Sequence, residues 1–450
     1  MSDLYSKVIR IYLKLKALYK RDISYKLYNK LSKEQWMSPA EIEGIQIERF
    51  NKLWKHALAN STFYKDRFKK YKLPNKISSV KDISSFPLLN RYDLQNYGQN
   101  ILCKYDDTIY ADSSGGSSGI PVHFYHDAYY KMFGAALHLL FLSWAGVKEG
   151  LKTGIFWGAD RDFTNLSFKQ YLSQRINRNM MLNTFNVTNE SLDKFLKELE
   201  DYKPDYIFGY SSSLAFAAKN INQSPKYTIH PKAIRATAEM LYDFQRKEIE
   251  KAFKCPVFNF YGSREVNNIA AECSAHEGMH VFSSGRIVEI VDENGKPLPI
   301  GEIGYIAITD LTNFTFPFIR YINGDMASWN DKPCSCGRAY PLLKGIAGRV
   351  FDILSFNGKF IHGHFFSNLI YQNSKVKQFQ VIQESESLLV IKIVALNNDV
   401  NILELKEKMW HQIGRNIEID IQFVEKIKPL KSGKYRFTIN NSMKNSERPI

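Results

Sequence analysis

The amino-acid sequence predicts an α/β protein with a large N-terminal domain, which holds mixed or parallel sheets, and a small C-terminal α+β domain. Between residues 100 and 270, short apolar runs alternate with helical stretches, a pattern typical of a parallel sheet. From residue 287, strands are separated by turns, which indicates antiparallel pairing. After Gly348 and Arg349 a strand, helix and strand pattern begins again, so we place two domains at 1–349 and 350–450.

Residues 1–80 are expected to form a helical layer. The first 21 residues carry apolar side chains at helical spacing, with lysines and arginines between them; the apolar positions are Leu4, Val8, Ile11, Leu15 and Leu18. We favour a helix that packs this stripe on the protein body. The alternative is a basic amphipathic helix that makes peripheral contact with an anionic membrane surface.

The remaining elements follow in chain order. Helices are expected at residues 131–147 and 191–202, and buried strands at 154–157, 205–208, 233–236 and 257–261. An antiparallel β subdomain is expected at about residues 285–347, with strands at 287–291, 304–308 and 318–321.

Composition excludes several classes of protein. Of 450 residues, 44% are hydrophobic and 24% charged, so a disordered or fibrous chain does not fit. The net charge of +15 indicates anionic partners such as nucleotides, nucleic acid or acidic lipid headgroups. The most apolar window, residues 133–147, is shorter than the roughly 20 residues that span a bilayer. Five cysteines make a disulfide framework improbable, and we expect a cytoplasmic location.

A run of small residues is the densest signal, and it comprises Ser113, Ser114, Gly115, Gly116, Ser117, Ser118 and Gly119. Without side-chain bulk, backbone N–H groups and hydroxyls can close around phosphate oxygens. A flexible linker would have the same composition. Strand-like sequence on both sides favours a phosphate-binding loop, and the missing Lys-Ser/Thr ending disfavours a Walker P-loop.

A second signal is the predicted strand that ends at Tyr261 and is followed by Gly262, Ser263, Arg264 and Glu265. Open α/β sheets bind ligands at such strand ends. The aromatic ring could stack on a base, and the carboxylate of Glu265 could hold Mg²⁺ against phosphates. An ordinary exit from a strand would have the same pattern.

Three further residues suit a nucleotide. Asp325 follows Asn323 and Gly324, and it can accept both hydroxyls of a ribose, while Arg349 can hold sugar or phosphate oxygens. The alternative at Asn-Gly is a plain hairpin turn. Lys434 follows a glycine near the C-terminus and can neutralise charge at a phosphate, although most such lysines are merely solvated.

The cysteines and histidines suggest a separate metal site. Cys273 is followed by His276 and His280, and a C-x-C pair occurs at Cys334 and Cys336. Three thiolates and one histidine, for which we favour His280, complete the ligand set of a closed structural Zn²⁺ site. The alternative is three idle thiols. Two other histidines, His123 and His126, are expected at the surface of a strand.

Together, in this order, the motifs resemble the adenylate-forming ligase superfamily, and within it the phenylacetate-CoA ligase-like branch that includes capsular-polysaccharide biosynthesis ligases. The resemblance covers about 320 residues and also includes residues 46–64, which are similar to the family's N-terminal helix. It implies that a carboxylate attacks the α-phosphorus of Mg-ATP to give an acyl-adenylate. The small domain then turns, and a thiol or an amine accepts the acyl group.

The resemblance also assigns roles to residues. It implies an ATP-phosphate loop at 113–121, an adenine-side segment at Ala238 and Glu239, a Tyr-Gly-x-x-Glu motif at 261–265, a ribose ligand at Asp325, an interdomain arginine at Arg349, an adenylation lysine at Lys434 and a wall of the carboxylate pocket at Tyr210 and Ser211. Ser117 and Ser118 replace the usual threonines but keep the hydroxyl. Phe351-Asp352 replaces a paired Asp-Asp at the hinge, so the acceptor is left open between CoA and an amine of an amino acid or amino sugar.

A function from another class is also compatible with part of this sequence. A zinc-stabilised basic protein that binds nucleic acid would also explain the charge and the cysteines. Its lysines and arginines should form one patch with interleaved aromatic residues. In this sequence they are spread along the chain, so we expect a small-molecule carboxylate as partner and no nucleic acid.

Overall fold

The computed structural model describes residues 2–103, 108–114, 122–157, 176, 178–184, 189–349, 354–356, 359–361, 365–366, 369–370, 376–395, 400–427 and 436–442. Within these ranges the chain has a mixed α/β fold, which confirms the predicted fold class. None of the described helices is both long and apolar enough to cross a membrane.

Ten α-helices lie in the described part of the chain. In order they are α1 (Ser2–Tyr19), α2 (Ser24–Glu34), α3 (Pro39–Asn60), α4 (Thr62–Tyr71), α5 (Arg91–Ile101), α6 (Ala128–Trp144), α7 (Asn189–Tyr202), α8 (Ser211–Gln223), α9 (Asp243–Phe253) and α10 (Ile402–Ile413). A 3₁₀ helix, Val80–Ser85, lies between α4 and α5.

Nineteen strands are described. They are β1 (Ile109–Ser114), β2 (Val122–Asp127), β3 (Thr153–Trp157), β4 (Asn179–Asn183), β5 (Tyr206–Tyr210), β6 (Ala233–Thr237), β7 (Val257–Tyr261), β8 (Ala270–Glu272), β9 (Met279–Val281), β10 (Arg286–Val291), β11 (Gly304–Asp310), β12 (Tyr321–Trp329), β13 (Leu342–Arg349), β14 (Leu354–Phe356), β15 (Lys359–Ile361), β16 (Val376–Gln383), β17 (Leu388–Ala395), β18 (Glu418–Phe423) and β19 (Thr438–Asn440).

The N-terminal helices form a layer on the main core. Helix α3 begins with a capping box, in which Ser38 accepts a hydrogen bond from the Glu41 backbone N–H and the Glu41 side chain accepts one from the Ser38 N–H. Its inner face buries Phe50, Leu53 and Trp54 completely. Burial of aromatic side chains of this size supplies much of the apolar surface that a core needs.

One sheet of eleven strands carries the fold, in the order β10-β11-β12-β13-β9-β8-β7-β6-β5-β3-β4. The strands from β7 to β4 are parallel, and the pairs from β7 to β10 are antiparallel. The strands expected to form a β subdomain are therefore antiparallel, but they continue the large sheet because β13 pairs with β9.

Strand β12 differs from the sequence prediction. A strand was expected at residues 318–321, yet β12 begins at Tyr321 and runs on through Asn323 and Gly324. In its pairing with β11, Tyr305 lies opposite Met326 while Ala307 lies opposite Ile322, so residues 323–325 form a bulge. Gly324 has a φ of 85°, which a glycine adopts without strain. The Asn-Gly pair therefore makes a bulge rather than a hairpin turn.

The C-terminal segment has its own small sheet, in the order β18-β17-β16-β19, and helix α10. A separate hydrophobic cluster joins this sheet to Tyr242 of the preceding part of the chain. The Tyr242 and Phe437 rings lie 5.1 Å apart, centroid to centroid. This cluster forms one contact between the segment and the rest of the protein.

A fully buried ion pair joins β10, β11 and the loop after β7. Arg286 Nη1 lies 2.6 Å from Asp310 Oδ1, and both side chains are 0% exposed. The same guanidinium donates to Thr312 Oγ1 at 3.0 Å and, through Nη2, to the Asn267 carbonyl at 3.1 Å. Charge-assisted bonds of this kind hold three segments at fixed distances.

We expect Arg286→Met to lower the free energy of unfolding by about 3–5 kcal/mol, because it leaves the Asp310 carboxylate buried without its cation. Denaturant unfolding measures the change. Arg415→Met is the matched control, since Arg415 is 75% exposed and pairs with Glu407 on the surface; its effect should stay within about 1 kcal/mol. Equal losses in the two variants would contradict the assigned role of the buried pair.

A hydrogen bond between an arginine and a histidine joins α6 to the sheet. Arg235 Nη1 lies 3.1 Å from His138 Nδ1, and the guanidinium stacks 4.5 Å from the centroid of the Phe208 ring. Burial, and then the charge of Arg235, lowers the pKa of His138 to about 3. His138 is therefore neutral in the folded protein.

This neutrality makes stability depend on pH. Below a pH of about 6.5 the unfolded chain binds a proton at His138 while the folded chain does not, so stability falls as the pH falls. Between pH 7 and pH 5 the loss from this group should approach about 2 kcal/mol. Denaturant unfolding at both pH values should show a smaller loss for His138→Gln than for wild type. His411→Gln, on the exposed side of α10, should keep the wild-type pH dependence; a His138→Gln variant with that same dependence would contradict the assignment.

Candidate functional site

The carboxyl ends of the parallel strands bring several predicted residues to one edge of the sheet. Strands β5, β6 and β7 end at Tyr210, Thr237 and Tyr261, and neighbouring strands run in register. Ala238 follows β6 with a φ of 66°, a left-handed conformation that is uncommon for a residue other than glycine. Such strand ends are where open α/β sheets bind ligands.

Tyr261, Asn323 and Asp325 form a hydrogen-bonded triangle at this edge. The Tyr261 hydroxyl donates to Asp325 Oδ2 at 2.8 Å, and Asn323 Nδ2 lies 2.7 Å from that hydroxyl and 2.9 Å from the same carboxylate oxygen. Asn323 Oδ1 also accepts from the Asp325 N–H at 3.0 Å. The tyrosine ring and the carboxylate are therefore held in one orientation.

The bulge in β12 positions this triangle. Because residues 323–325 do not pair with β11, Asp325 projects beside the end of β7. On the other side, Asp325 lies opposite Arg349 in the register of β12 and β13. Asp325, the predicted ribose ligand, and Arg349, predicted to hold a sugar or phosphate oxygen, are thus paired across two neighbouring strands. The side chain of Arg349 lies outside the described part of the protein.

The loop after Tyr261 turns sharply. A Cβ atom on Gly262 would lie 2.9 Å from the Asn268 backbone nitrogen, so the position requires glycine. The Ser263 N–H donates to the Val266 carbonyl at 2.8 Å, and the Val266 N–H donates to Ser263 Oγ at 3.0 Å. This tight turn brings Glu265 back toward β12.

Glu265 is held from two sides. It is 8% exposed, and Tyr321 of β12 donates to its Oε1 at 3.5 Å, near the limit of a hydrogen bond. Its backbone carbonyl lies 3.0 Å from His126 Nε2. The His126 ring stacks on Tyr130 with 4.1 Å between centroids. The backbone of Glu265 is therefore held in place, whereas the hydrogen bond to its carboxylate is weak.

His126 corrects a prediction from the sequence. It was expected at the surface, and it is instead 6% exposed, while His123 is exposed as expected. Burial lowers the pKa of His126, which favours the neutral ring. A neutral imidazole with its proton on Nε2 donates to the Glu265 carbonyl, so His126 acts as a brace for that loop.

The glycine- and serine-rich run is described only in part. Residues Gly115, Gly116, Ser117, Ser118 and Gly119 lie outside the described residues. Ser114, at the end of β1, is buried and accepts a hydrogen bond from Arg91 Nη1 at 3.1 Å. Two positions earlier, Asp112 forms an ion pair at 3.2 Å with Arg264 of the Tyr-Gly loop. The strand that enters the run therefore contacts the loop that carries Glu265.

Tyr210, Ser211 and Glu239 lie together at the ends of β5 and β6. Ser211 is fully buried, and its hydroxyl donates to the Glu239 carbonyl at 3.4 Å. The Glu239 carboxylate accepts from the Ser212 N–H at 2.9 Å. The Tyr210 ring packs on Trp157, with 4.6 Å between centroids. Lys434, the predicted adenylation lysine, lies outside the described residues.

The predicted metal ligands come together away from this edge. Ligand atoms of Cys273, His280, Cys334 and Cys336 all lie within 4.8 Å of one another. Cys273 Sγ lies 3.6 Å from Cys334 Sγ, and Cys336 Sγ lies 3.3 Å from His280 Nε2. These spacings are close to the edge of about 3.8 Å that follows for a tetrahedron with four 2.3 Å zinc–sulfur bonds.

Of the two histidines considered from the sequence, His280 lies with the three thiols and His276 does not. His280 Nδ1 lies 2.9 Å from the Tyr340 carbonyl. A proton on Nδ1 would leave the lone pair of Nε2 facing the three thiols, which is the usual arrangement of a metal-binding histidine. His276 Nδ1 instead lies 3.2 Å from a carboxylate oxygen of Glu272.

Sequence reasoning missed three residues that shape the site. Asn323 was interpreted as a turn residue, whereas its amide joins Tyr261 to Asp325. Arg91 and His126 contact Ser114 and Glu265 respectively. Of the three, only Asn323 could have been found from the sequence, because it lies two residues before the predicted ribose ligand Asp325. The contacts of the other two depend on tertiary packing.

The chain is similar in sequence to CapK and to the phenylacetate-coenzyme A ligases. The family model described as the CapK C-terminal domain matches residues 353–441. Protein CapK from Staphylococcus aureus is 27% identical over 412 residues, which cover 88% of this chain and 89% of the relative. A phenylacetate-coenzyme A ligase from Thermus thermophilus is 25% identical over 230 residues, 49% of this chain and 50% of the relative.

Among solved structures, a crystal structure of 2-hydroxyisobutyryl-CoA ligase in the postadenylation state, in complex with R3-HIB-AMP, is similar with a TM-score of 0.72. The sequence identity is 17%, and the match covers 91% of each chain. The chain shares the fold of this ligase, and its relatives in sequence support an AMP-forming ligase. In sequence it is similar to CapK and to the phenylacetate-coenzyme A ligases, which confirms the resemblance stated from the motifs.

Proposed function

We propose that the protein activates a small carboxylate with ATP, forms an acyl-adenylate, and passes the acyl group to CoA or to an amine. The observation that carries this proposal is the triangle of Tyr261, Asn323 and Asp325 beside Glu265 and the entry to the glycine- and serine-rich run. One sheet edge thus joins an aromatic face, two carboxylates and the strand that leads into a run of small residues. Such a set suits the base, the sugar and the phosphates of one nucleotide.

In the proposed first step, a carboxylate oxygen of the acid bonds to the α-phosphorus of ATP, and the bond from that phosphorus to pyrophosphate breaks. Residues 114–119 would enclose the phosphates with backbone N–H groups and hydroxyls. Lys434, delivered by the C-terminal segment, would stabilise the charge that develops there.

The nucleotide would lie across the ends of β6, β7 and β12. The face of Tyr261 would stack on the base, with Gly262 and Ser263 beside it and Ala238 and Glu239 on the other side of the adenine. Asp325 would accept the ribose hydroxyls, and Arg349 would hold an oxygen near the boundary of the domains. The hydrogen bonds from Tyr261 and Asn323 keep the Asp325 carboxylate in one orientation, which reduces the entropy cost of binding.

Glu265 would hold Mg²⁺, which supplies positive charge against the phosphates. The carboxylate fits this role because it is buried, and its one hydrogen bond among the described residues, from Tyr321, is long at 3.5 Å. Lone pairs therefore remain for a cation. Oxygen ligands are the ones that Mg²⁺ prefers.

Residues 350–450 would form the mobile domain that turns after adenylation and admits the acceptor. Among the described residues, this segment contacts the preceding part of the chain through the rings of Tyr242 and Phe244 on Phe437, and through Lys219 Nζ at 3.3 Å from the Val376 carbonyl. Contacts between domains of one chain commonly allow relative motion. The names of the relatives, phenylacetate-coenzyme A ligase and CapK, support CoA and a role in capsule polysaccharide biosynthesis, respectively. The hinge sequence Phe351-Asp352 keeps an amine acceptor open.

We expect the purified protein to catalyse carboxylate-dependent exchange of labelled pyrophosphate into ATP. Lys434→Ala should lower the exchange rate by about 10²-fold or more, because a charge that stabilises the transition state is lost. Glu265→Gln should raise the Mg²⁺ concentration needed for half-maximal exchange, since a neutral amide binds the cation more weakly.

Each control carries the same charge as the residue that it matches. Lys431→Ala, three residues before Lys434, and Glu302→Gln, on the surface, should keep the wild-type rate and Mg²⁺ dependence. Folded protein that shows no exchange with any acid of a broad panel would refute adenylation. Release of AMP that depends on added CoA, or on an added amino acid or amino sugar, then identifies the acceptor.

We further propose that Cys273, His280, Cys334 and Cys336 hold a structural Zn²⁺. The set offers four soft or borderline ligands and no open position, so it would join β9 to the segment before β13 rather than take part in catalysis. The carbonyl of Tyr340 supports the tautomer that such binding requires.

We expect about one zinc ion per chain in protein purified without chelator. Cys336→Ser should lower the zinc content by at least about half and also lower the melting temperature, because a closed site loses a ligand. Cys255→Ser is the control, since Cys255 is a buried thiol outside the cluster; it should retain the metal. Elemental analysis measures the content, and wild-type protein without zinc would refute the proposal.

A further inference from the structure

Among the described residues, one face of helix α1 packs against the rest of the protein. Its inner face buries Ser6, Ile9 and Ala17. Arg178 Nη1 donates to Ser6 Oγ at 2.8 Å, and the position of Gly150 is so close that a Cβ atom there would lie 3.1 Å from Ile9 Cγ2. The helix is therefore packed against the body in a defined rotation.

The opposite face of α1 is apolar and exposed, against the favoured prediction from the sequence. Its side chains are between 42% and 90% exposed; they are Val8, Ile11, Tyr12, Leu15, Leu18 and Tyr19, which we call the α1 stripe. Spacings of three and four residues place them in one row along the helix. The side chain of Leu4, the first position of the predicted pattern, lies outside the described residues. An exposed row of this kind marks an interaction surface.

Basic residues border the α1 stripe on both sides. At 100° per residue, Lys7 and Lys14 lie along one margin, and Lys16 and Lys20 along the other. Lys16 Nζ lies 5.8 Å from the centroid of the Tyr12 ring, so its stem follows the stripe. Arg21 follows directly in the chain, whereas Asp3 is the single acidic residue of α1. An apolar row between cations complements an apolar layer covered by anionic headgroups.

We propose that the α1 stripe docks on an anionic lipid bilayer, with its apolar side chains at the acyl boundary and the lysines among the headgroups. A helix that lies in this interface needs neither the length nor the uniform apolarity of a membrane span. The inner face stays on the protein, so the docked helix carries the whole molecule.

The place of α1 in the fold sets the orientation of the docked protein. Its partners, Gly150 and Arg178, directly precede β3 and β4. The helix is therefore attached near the amino ends of the parallel strands, while Tyr210 and Tyr261 lie at carboxyl ends. A bilayer against α1 leaves the candidate site at the opposite edge of the sheet.

The test is co-sedimentation of the full chain with vesicles of phosphatidylcholine alone and of an equal mixture of phosphatidylcholine and phosphatidylglycerol. We expect binding to the mixture only, weakening as salt is added. Leu15→Gln with Leu18→Gln should lower the partition coefficient by about tenfold or more. Lys14→Gln with Lys20→Gln should also lower it and reduce its dependence on salt.

Matched controls lie elsewhere on the surface. Leu403 on α10 is 77% exposed against 75% for Leu18, and Leu403→Gln should bind as wild type does. Lys69→Gln with Lys70→Gln, on exposed α4, should have little effect compared with the α1 lysine pair. Circular dichroism and pyrophosphate exchange check that each variant is folded, and vesicle binding can be measured even if exchange is absent.

Two results would overturn the proposal. One is wild-type protein that does not sediment with phosphatidylglycerol vesicles, or a Leu15/Leu18 variant that sediments as well as wild type. The other is a dimer in light scattering that the same variant dissociates while vesicles are not bound. The α1 stripe would then be a contact between two copies of the chain.

Discussion

The buried pair of Arg286 and Asp310 is the interaction on which the candidate site depends. A guanidinium removed from water requires partners in several directions, and here they come from β11, from Thr312 and from Asn267. Asn267 lies two residues after Glu265. Its backbone is also fixed, because the Asn267 N–H donates to the Tyr130 hydroxyl at 2.8 Å. The position of Glu265 therefore follows from a charge that must be neutralised in the core, together with the turn made possible by Gly262.

Much of the fold could be predicted from the sequence, because buried parallel strands leave short apolar runs and motifs at strand ends are local. Strand β7 was predicted with its observed bounds, and β6 within one residue. The Asn323-Gly324 pair shows where local signals end. The same dipeptide suits a hairpin and a bulge, and the pairing of β12 with β11 and β13, which the dipeptide itself does not encode, decides between them.

Two further differences have the same cause. The burial of His126 depends on Tyr130 and on the loop of Glu265, and neither contact leaves a trace in the alternation of β2. Helix α1 was predicted correctly as a helix, but its apolar side does not face the body. Periodicity reports that a helix has two faces. It does not report which face the rest of the chain covers, since that depends on residues such as Arg178 and Gly150.

Strand β13 connects two features that are otherwise separate. At its start, Leu342 pairs with His280 of the cysteine and histidine cluster, and at its end Arg349 lies opposite Asp325, just before the segment 350–450. If that segment rotates as proposed, the rotation exerts a force on β13, which directly precedes it in the chain. The pairing of β13 with β12 and β9, and a zinc ion bound near its first residues, would hold the strand in place. A metal site distant from the nucleotide would then fix the strand about which the segment turns.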